Sequence, residues 1–191
     1  MNKVELINIA LSHLGVKNIS DIDEGSEQSR TASVYYDATR KSVLEKYNWP
    51  FAIKKVSLAL LDTTPIDYQF AYQLPSDCIK VINIAPQSGS FSEVGNIYPF
   101  EIMGKELHCD LEDIYIAYVY DDEDTNTFSD MFIDAFSHLL ASRMAIRLVK
   151  DRDLQVTELN IYTSMVGEVG ASSLGQDKQS KDDNPYITAR S

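Results

Sequence analysis

The sequence predicts an α+β protein: an antiparallel helical bundle carrying an inserted, mostly antiparallel β domain, followed by an extended C-terminal tail. Three observations predict it. Apolar residues recur at helical period toward both ends of the chain, they change to strand-like alternation in the middle, and a Trp49-Pro50-Phe51 corner stands at the first change. The expected division is 1–50 and 122–170 for the bundle, 51–121 for the inserted β domain and 171–191 for a flexible tail.

The first helix is predicted over Asn2 to Leu14, with Val4, Ile7, Leu11 and Leu14 as its stripe, Asn2 as cap and Gly15 just past its end. Val16 to Glu24 is a polar connection with two apolar pegs, Ile19 and Ile22. A long amphipathic helix follows, capped by Asp23 or Ser26. Ala32, Tyr35, Tyr36, Thr39, Val43 and Tyr47 form its stripe, while Arg30, Ser33, Asp37, Arg40 and Lys41 are expected on the side facing water or a partner. Pro50 lacks an N–H and pushes Trp49 out of helical dihedrals, so the helix stops there.

Beyond the corner the chain reads as strands. Ile53 to Leu60, Phe70 to Leu74 and Cys78 to Ile84 are the first three, with Ile79 and Val81 on one face and Ile84 offset. Pro86 to Asn96 is Ser/Gly-rich and reads as a loop. Tyr98 to Met103 and Glu106 to Cys109 flank Gly104-Lys105, a two-residue hairpin signal in which Gly at the first turn position suits type II′. Ile114 to Tyr120 is the strongest strand and is apolar on both faces, which calls for burial on both or for an interface.

The acidic run Asp121 to Asp124 precedes a third helix, for which Thr127-x-x-Asp130 resembles a capping box. Phe128, Phe132, Ala135, Phe136, Leu139, Leu140 and Ile146 form its broad apolar face, which makes it central. Asp153 caps a fourth helix with Leu159, Tyr162, Val166 and Val169 as its stripe. After Ala171 the composition is that of a disordered tail, interrupted by the short apolar patch Asn184-Pro185-Tyr186-Ile187.

Composition bounds the function. The formal charge of −12 and a pI near 4.6 argue against binding that neutralises nucleic-acid phosphates with clustered cations. No apolar run reaches the roughly 18–20 residues a membrane span needs, and the first residues lack a signal-peptide layout, so the chain is expected to fold in a cytoplasm. Cys78 and Cys109 have no metal-type spacing and are expected to be free, partly buried thiols.

Chemistry is sparse. His13, His108 and His138 lie in different elements without a companion at ligand spacing, and each reads as a surface or satisfied core residue. The Gly-rich phosphate loops and the nucleophile elbow are absent. Asp21 to Gly25 is a poor calcium loop, lacking Gly at its sixth position and Glu at its twelfth, and reads as an acidic capping loop. No cofactor, metal or catalytic group is therefore expected. Arg143, Arg147 and Lys150, at i, i+4 and i+7, form either a cationic strip for an acidic partner or a solvated face at a helix C-terminus. A carboxylate-dependent cell-wall hydrolase is the alternative, since the chain has 29 Asp and Glu residues, but no spacing singles out a pair.

Several blocks carry a resemblance to a known family. Ile19-Ser20-Asp21-Ile22-Asp23-Glu24-Gly25-Ser26-Glu27, then Tyr36 to Arg40, then Trp49-Pro50-Phe51-Ala52 with a Lys-bearing strand after it, resemble the N-terminal signature of tail tubular protein A. That family comprises the head-to-tail adaptors of short-tailed bacteriophages. Tyr72 to Val81 resembles its "Y-x-L-P-x-D-C-x-x-V" block, Met103 to Leu107 its hairpin, and the helix from Phe128 its C-terminal helix. The blocks keep their order over roughly residues 10–165. The chain departs in having Trp-Pro where Trp-Asn is commoner, and in its tail after Ala171. The resemblance implies a virion structural protein at the head–tail junction: a dodecameric ring between the portal protein and the tail nozzle protein, through which DNA passes without sequence-specific binding. It also implies an extended C-terminus that reaches the portal, which makes Asn184, Pro185, Tyr186 and Ile187 candidate contacts beside the Arg143 strip.

Overall fold

The structure, a computed structural model, describes residues 1–87 and 98–176, with side chains in the last helix to Gly167. The chain is α+β. In order it forms α1 (Lys3–His13), α2 (Glu27–Lys46), a 3₁₀ turn (Pro50–Ala52), β1 (Ile53–Ser57), β2 (Phe70–Gln73), β3 (Cys78–Pro86), β4 (Phe100–Met103), β5 (Glu106–Cys109), β6 (Ile114–Tyr120), α3 (Asp130–Leu148) and α4 (Arg152–Gln176).

Local chemistry sets the helix ends. Asn2 accepts from the Glu5 amide at 2.8 Å while the Glu5 carboxylate accepts from the Asn2 amide at 2.8 Å, a reciprocal capping box. Gly15, at φ 66°, closes α1: its amide bonds Ser12 and the next amide, of Val16, bonds Leu11. Ser26 rather than Asp23 caps α2, accepting from Ser29 at 3.1 Å. Ser129, rather than Thr127 with Asp130, caps α3, and Asp151 rather than Asp153 accepts from Leu154 at the start of α4. Sequence spacing names Asn2 for α1 and includes Ser26 for α2, and misses by two positions at the starts of α3 and α4.

α3 lies among the other helices, packing on α1, α2 and α4. Phe132, Phe136, Leu140, Met144 and Ala145 are fully buried along it, and each large side chain contributes roughly 1.5–3 kcal/mol by leaving water. Ile146 does not belong to that face and is 45% exposed. On α4, Tyr162 and Val166 face inward, while Leu159 is 42% exposed and Glu158 is buried in the place expected for an apolar side chain. α4 runs to Gln176, so positions 171–176, read from composition as tail, are helical.

The strands form two antiparallel three-stranded sheets, ordered β1-β6-β3 and β2-β5-β4. β6 is the centre of the first and is covered on both faces by this chain alone. Ile114, Ile116 and Tyr118 enter a core shared with Tyr72, Leu107 and Cys109 of the second sheet, while Val119 joins the helical core. Tyr115 is the exception, at 37% exposed. β3 carries register shifts between Cys78 and Lys80 and between Val81 and Asn83. Each inserted residue turns period two into period three, so Cys78, Val81 and Ile84 share the inter-sheet core and Ile79 and Ile82 turn toward the helices. The expected pairing of Ile79 with Val81 on one face fails for that reason. The hairpin between β4 and β5 has Gly104 at φ 65° and Lys105 at negative φ, the type II′ pattern.

Candidate functional site

Four groups of residues stand out in the structure, three of them on motifs of the sequence. The first is the corner. Trp49 is 2% exposed and its Nε1–H donates to the Val43 carbonyl at 2.8 Å, so the end of α2 and the ring fix each other. Phe132 meets Trp49 edge-on at 5.2 Å between centroids and Phe51 at 5.2 Å, and Phe128 lies 5.5 Å from Phe51. Pro50 is exposed and opens the 3₁₀ turn. The three corner residues thus have a packing role between α2, α3 and the start of β1.

The second is a charged junction that the helix pattern placed in water. Arg40 is only 3% exposed. Its guanidinium donates to Asp121 at 2.8 and 3.2 Å, to Glu123 at 3.2 Å and to Asp37 at 3.1 Å, and Lys41 pairs with the other Asp121 oxygen at 3.1 Å. Asp122 meanwhile accepts from the Tyr120 and Thr127 hydroxyls at 2.8 and 2.7 Å. Much of the acidic run after β6 is therefore the counter-charge for Arg40 and Lys41 of α2 and a set of local turns, rather than a complement to the start of α3 alone. A groove of 580 Å³ borders it, lined by Lys3, Asp37, Arg40, Glu123 and the first residues of the chain, with both signs of charge intermixed.

The third group is the strip on α3. Its members do not act together. Arg143 is half-buried and donates to the Thr39 and Ser42 hydroxyls of α2 at 3.0 and 2.9 Å, and burial pulls its pKa below the usual arginine value. It fastens α3 to α2. Arg147 is exposed and lies 4.0 Å from Glu27. Lys150 is exposed, past the helix end, with φ at 57° and its amide on the Ala145 carbonyl. Asn184, Pro185, Tyr186 and Ile187 lie outside the described residues, as does most of the stretch 86–96.

The fourth group was invisible in the sequence. His13 at the end of α1 and His138 in the middle of α3 stack face to face, centroids 4.1 Å apart and planes 19° from parallel. His138 Nδ1 and Glu158 Oε2 of α4 are 2.6 Å apart, with Glu158 only 5% exposed. His13 Nε2 is 3.0 Å from the Ser137 hydroxyl, which itself donates to the Asp134 carbonyl, so the ring N–H donates to Ser137. Burial first, and then the facing His138, hold His13 below the usual imidazole range. One ligand atom from each of His13, His138 and Glu158 falls within 4.8 Å of the other two. Residues 125 and 20 positions apart produce this cluster, so no sequence window contains it.

Several other titratable groups have structural partners. His108 is 3.1 Å from Glu106. Asp77 joins Lys54 at 2.8 Å and the Tyr118 hydroxyl at 3.0 Å across the first sheet. Cys78 and Cys109 are free, and burial pushes the Cys78 thiol up to about 11, which makes it a poor nucleophile. Among the described residues no helix is long and apolar enough to cross a membrane. No protein-family model matches the chain, and comparison with curated proteins finds no match.

Proposed function

We propose that this chain is a head-to-tail adaptor of a short-tailed bacteriophage, a non-enzymatic virion protein that forms a ring between portal and tail nozzle. In this reading residues 1–50 and 122–170 make a helical bundle, 51–121 an inserted β domain, and the stretch after 171 the arm that reaches the portal. The ordered series of motif blocks carries the reading. Their residues stand at joints of the fold: Ile19 as a buried peg, Arg40 on the acidic run, Trp49 in the corner, and Asp77 on Lys54 and Tyr118. A signature made of joints fits a protein whose job is shape.

Two apolar sets on different parts of the chain support assembly. Val156, Leu159 and Ile161 are 46, 42 and 36% exposed on α4. Leu60, Ile66, Ile102 and Met103 are 52, 100, 41 and 56% exposed on and around the second sheet. A ring subunit that also contacts a portal and a nozzle needs more than one such surface. The net charge of −12 suits a channel that DNA must leave without sticking. The test is electron microscopy and native mass spectrometry of the protein mixed with a portal protein of a short-tailed bacteriophage. A twelve-fold ring on the portal is expected, and Leu159→Asp should weaken ring formation without lowering the Tm. A protein that stays monomeric and ignores the portal overturns the reading.

A further inference from the structure

We infer that His13, His138 and Glu158 form a binding site for a divalent transition-metal ion, Zn²⁺ by the chemistry of its ligands. The inference does not rest on the adaptor reading.

Each ligand comes from a different helix: His13 from the end of α1, His138 from α3 and Glu158 from α4. The Glu158 carboxylate is nearly dry, and such a group requires a cation or strong donors close by. Among the described residues its hydrogen-bond partner is the His138 ring N–H at 2.6 Å. The second imidazole is stacked on the first at 4.1 Å, and one ligand atom of each of the three residues lies within 4.8 Å of the other two, close enough for one divalent ion to draw on all three.

The donor set selects the metal. Two imidazole nitrogens and one carboxylate oxygen suit Zn²⁺ and its neighbours, whereas Mg²⁺ and Ca²⁺ take oxygen ligands. Bonds of about 2.0–2.2 Å at tetrahedral angles put ligand atoms roughly 3.3–3.6 Å apart. The three ligand atoms now lie within 4.8 Å of one another, and the His138–Glu158 pair, at 2.6 Å, opens to admit the ion. The ion enters between His138 Nδ1 and Glu158 Oε2, and the ring proton of His138 moves to Nε2. Three protein ligands leave a fourth position for water or for a group from outside the chain. Bound there, the ion fastens α4 to α1 and α3.

Titration of the metal-free protein with Co²⁺ tests this. One equivalent is expected to give the visible absorption of a tetrahedral site, Zn²⁺ to abolish it, and Zn²⁺ to raise the Tm in a manner EDTA reverses. His13→Asn and Glu158→Gln should each weaken Co²⁺ binding roughly ten-fold or more, while His108→Asn leaves it unchanged. No tetrahedral band together with no Zn²⁺-dependent Tm shift overturns the site, and so does binding that is equal in all three variants. If the variants do not fold, long-range ¹H–¹⁵N spectra of the wild-type protein decide. The imidazole nitrogens of His13 and His138 should shift at one equivalent of Zn²⁺ and those of His108 should not; the reverse pattern overturns the site.

Discussion

The junction around Arg40 and the junction around His138 both hold charge among packed elements, yet they are finished to different degrees. At Arg40, one guanidinium meets three carboxylates, and Lys41 takes the remaining oxygen of Asp121. Past the end of α2, Trp49 makes a separate joint through aromatic packing and a hydrogen bond to Val43. At His138, a buried carboxylate has one hydrogen-bond partner among the described residues, and a second imidazole is stacked on that partner. A saturated charge network fixes geometry and offers nothing further to a ligand. An unsaturated one keeps its shape through the surrounding packing and retains capacity to bind.

The contrast predicts a hierarchy of losses. The largest belongs to the aromatic corner past the end of α2. Trp49→Ala empties a site that is 2% exposed and ringed by Tyr47, Phe51 and Phe132, and should cost about 3–5 kcal/mol in urea unfolding. A loss under about 1 kcal/mol would mean that the corner does not bear on stability, and that its place in the motif reflects a contact with a partner.

Next comes Arg40→Met, which leaves Asp121 with Lys41 alone. Removing one partner of a buried pair costs about 3 kcal/mol where the other stays charged. A double-mutant cycle with Asp121→Asn should return a coupling of about 1–3 kcal/mol. Additive single losses would sink the claim that the acidic run is the counter-charge of α2.

These two residues also show where the sequence was legible. The Trp-Pro-Phe corner, the helix stop and the period of α1 all lie within windows of a few residues, where steric rules act directly. Arg40 was misplaced because a charged residue in an amphipathic pattern is assigned to water by default, and its counter-charge lies 81 positions away. The two bulges of β3 defeated the strand pattern, since an inserted residue changes the period that the pattern assumes. The His138 cluster was not legible, because its members lie 125 and 20 positions apart and the stripe expected on α4 put Leu159 inward, where the structure has Glu158.

The unsaturated junction should yield less. Glu158→Gln in metal-free protein keeps the size and a hydrogen bond to His138 while removing the charge, and should cost about 1 kcal/mol. That is well below the loss for Arg40→Met. Equal losses in the two junctions would erase the distinction, because they would mean that the His138 pair is already as complete as the Arg40 network.

The smallest effect isolates a third arrangement, one in which a carboxylate is saturated while wholly in water. Glu24, in the loop before α2, accepts from the Ser20 amide and hydroxyl at 2.8 Å each and from the Asp21 amide at 3.3 Å. Hydrogen bonds from the Ser26 hydroxyl and then from Ser20 hold its pKa down to about 2, against 4.5 ordinarily. Because the folded value is the lower one, the stabilisation is complete above the unfolded pKa and is lost as the pH falls through the folded value. Its window is therefore from about 4.5 down to about 2. A carboxyl ¹³C titration should place the Glu24 midpoint near the lower end. Glu24→Gln should flatten the stability profile across that window and leave it unchanged above it. A midpoint at the ordinary value would show that hydrogen bonds alone, without burial, do not complete a charge in this fold. Saturation at Arg40 would then owe its effect to exclusion of water rather than to the number of partners.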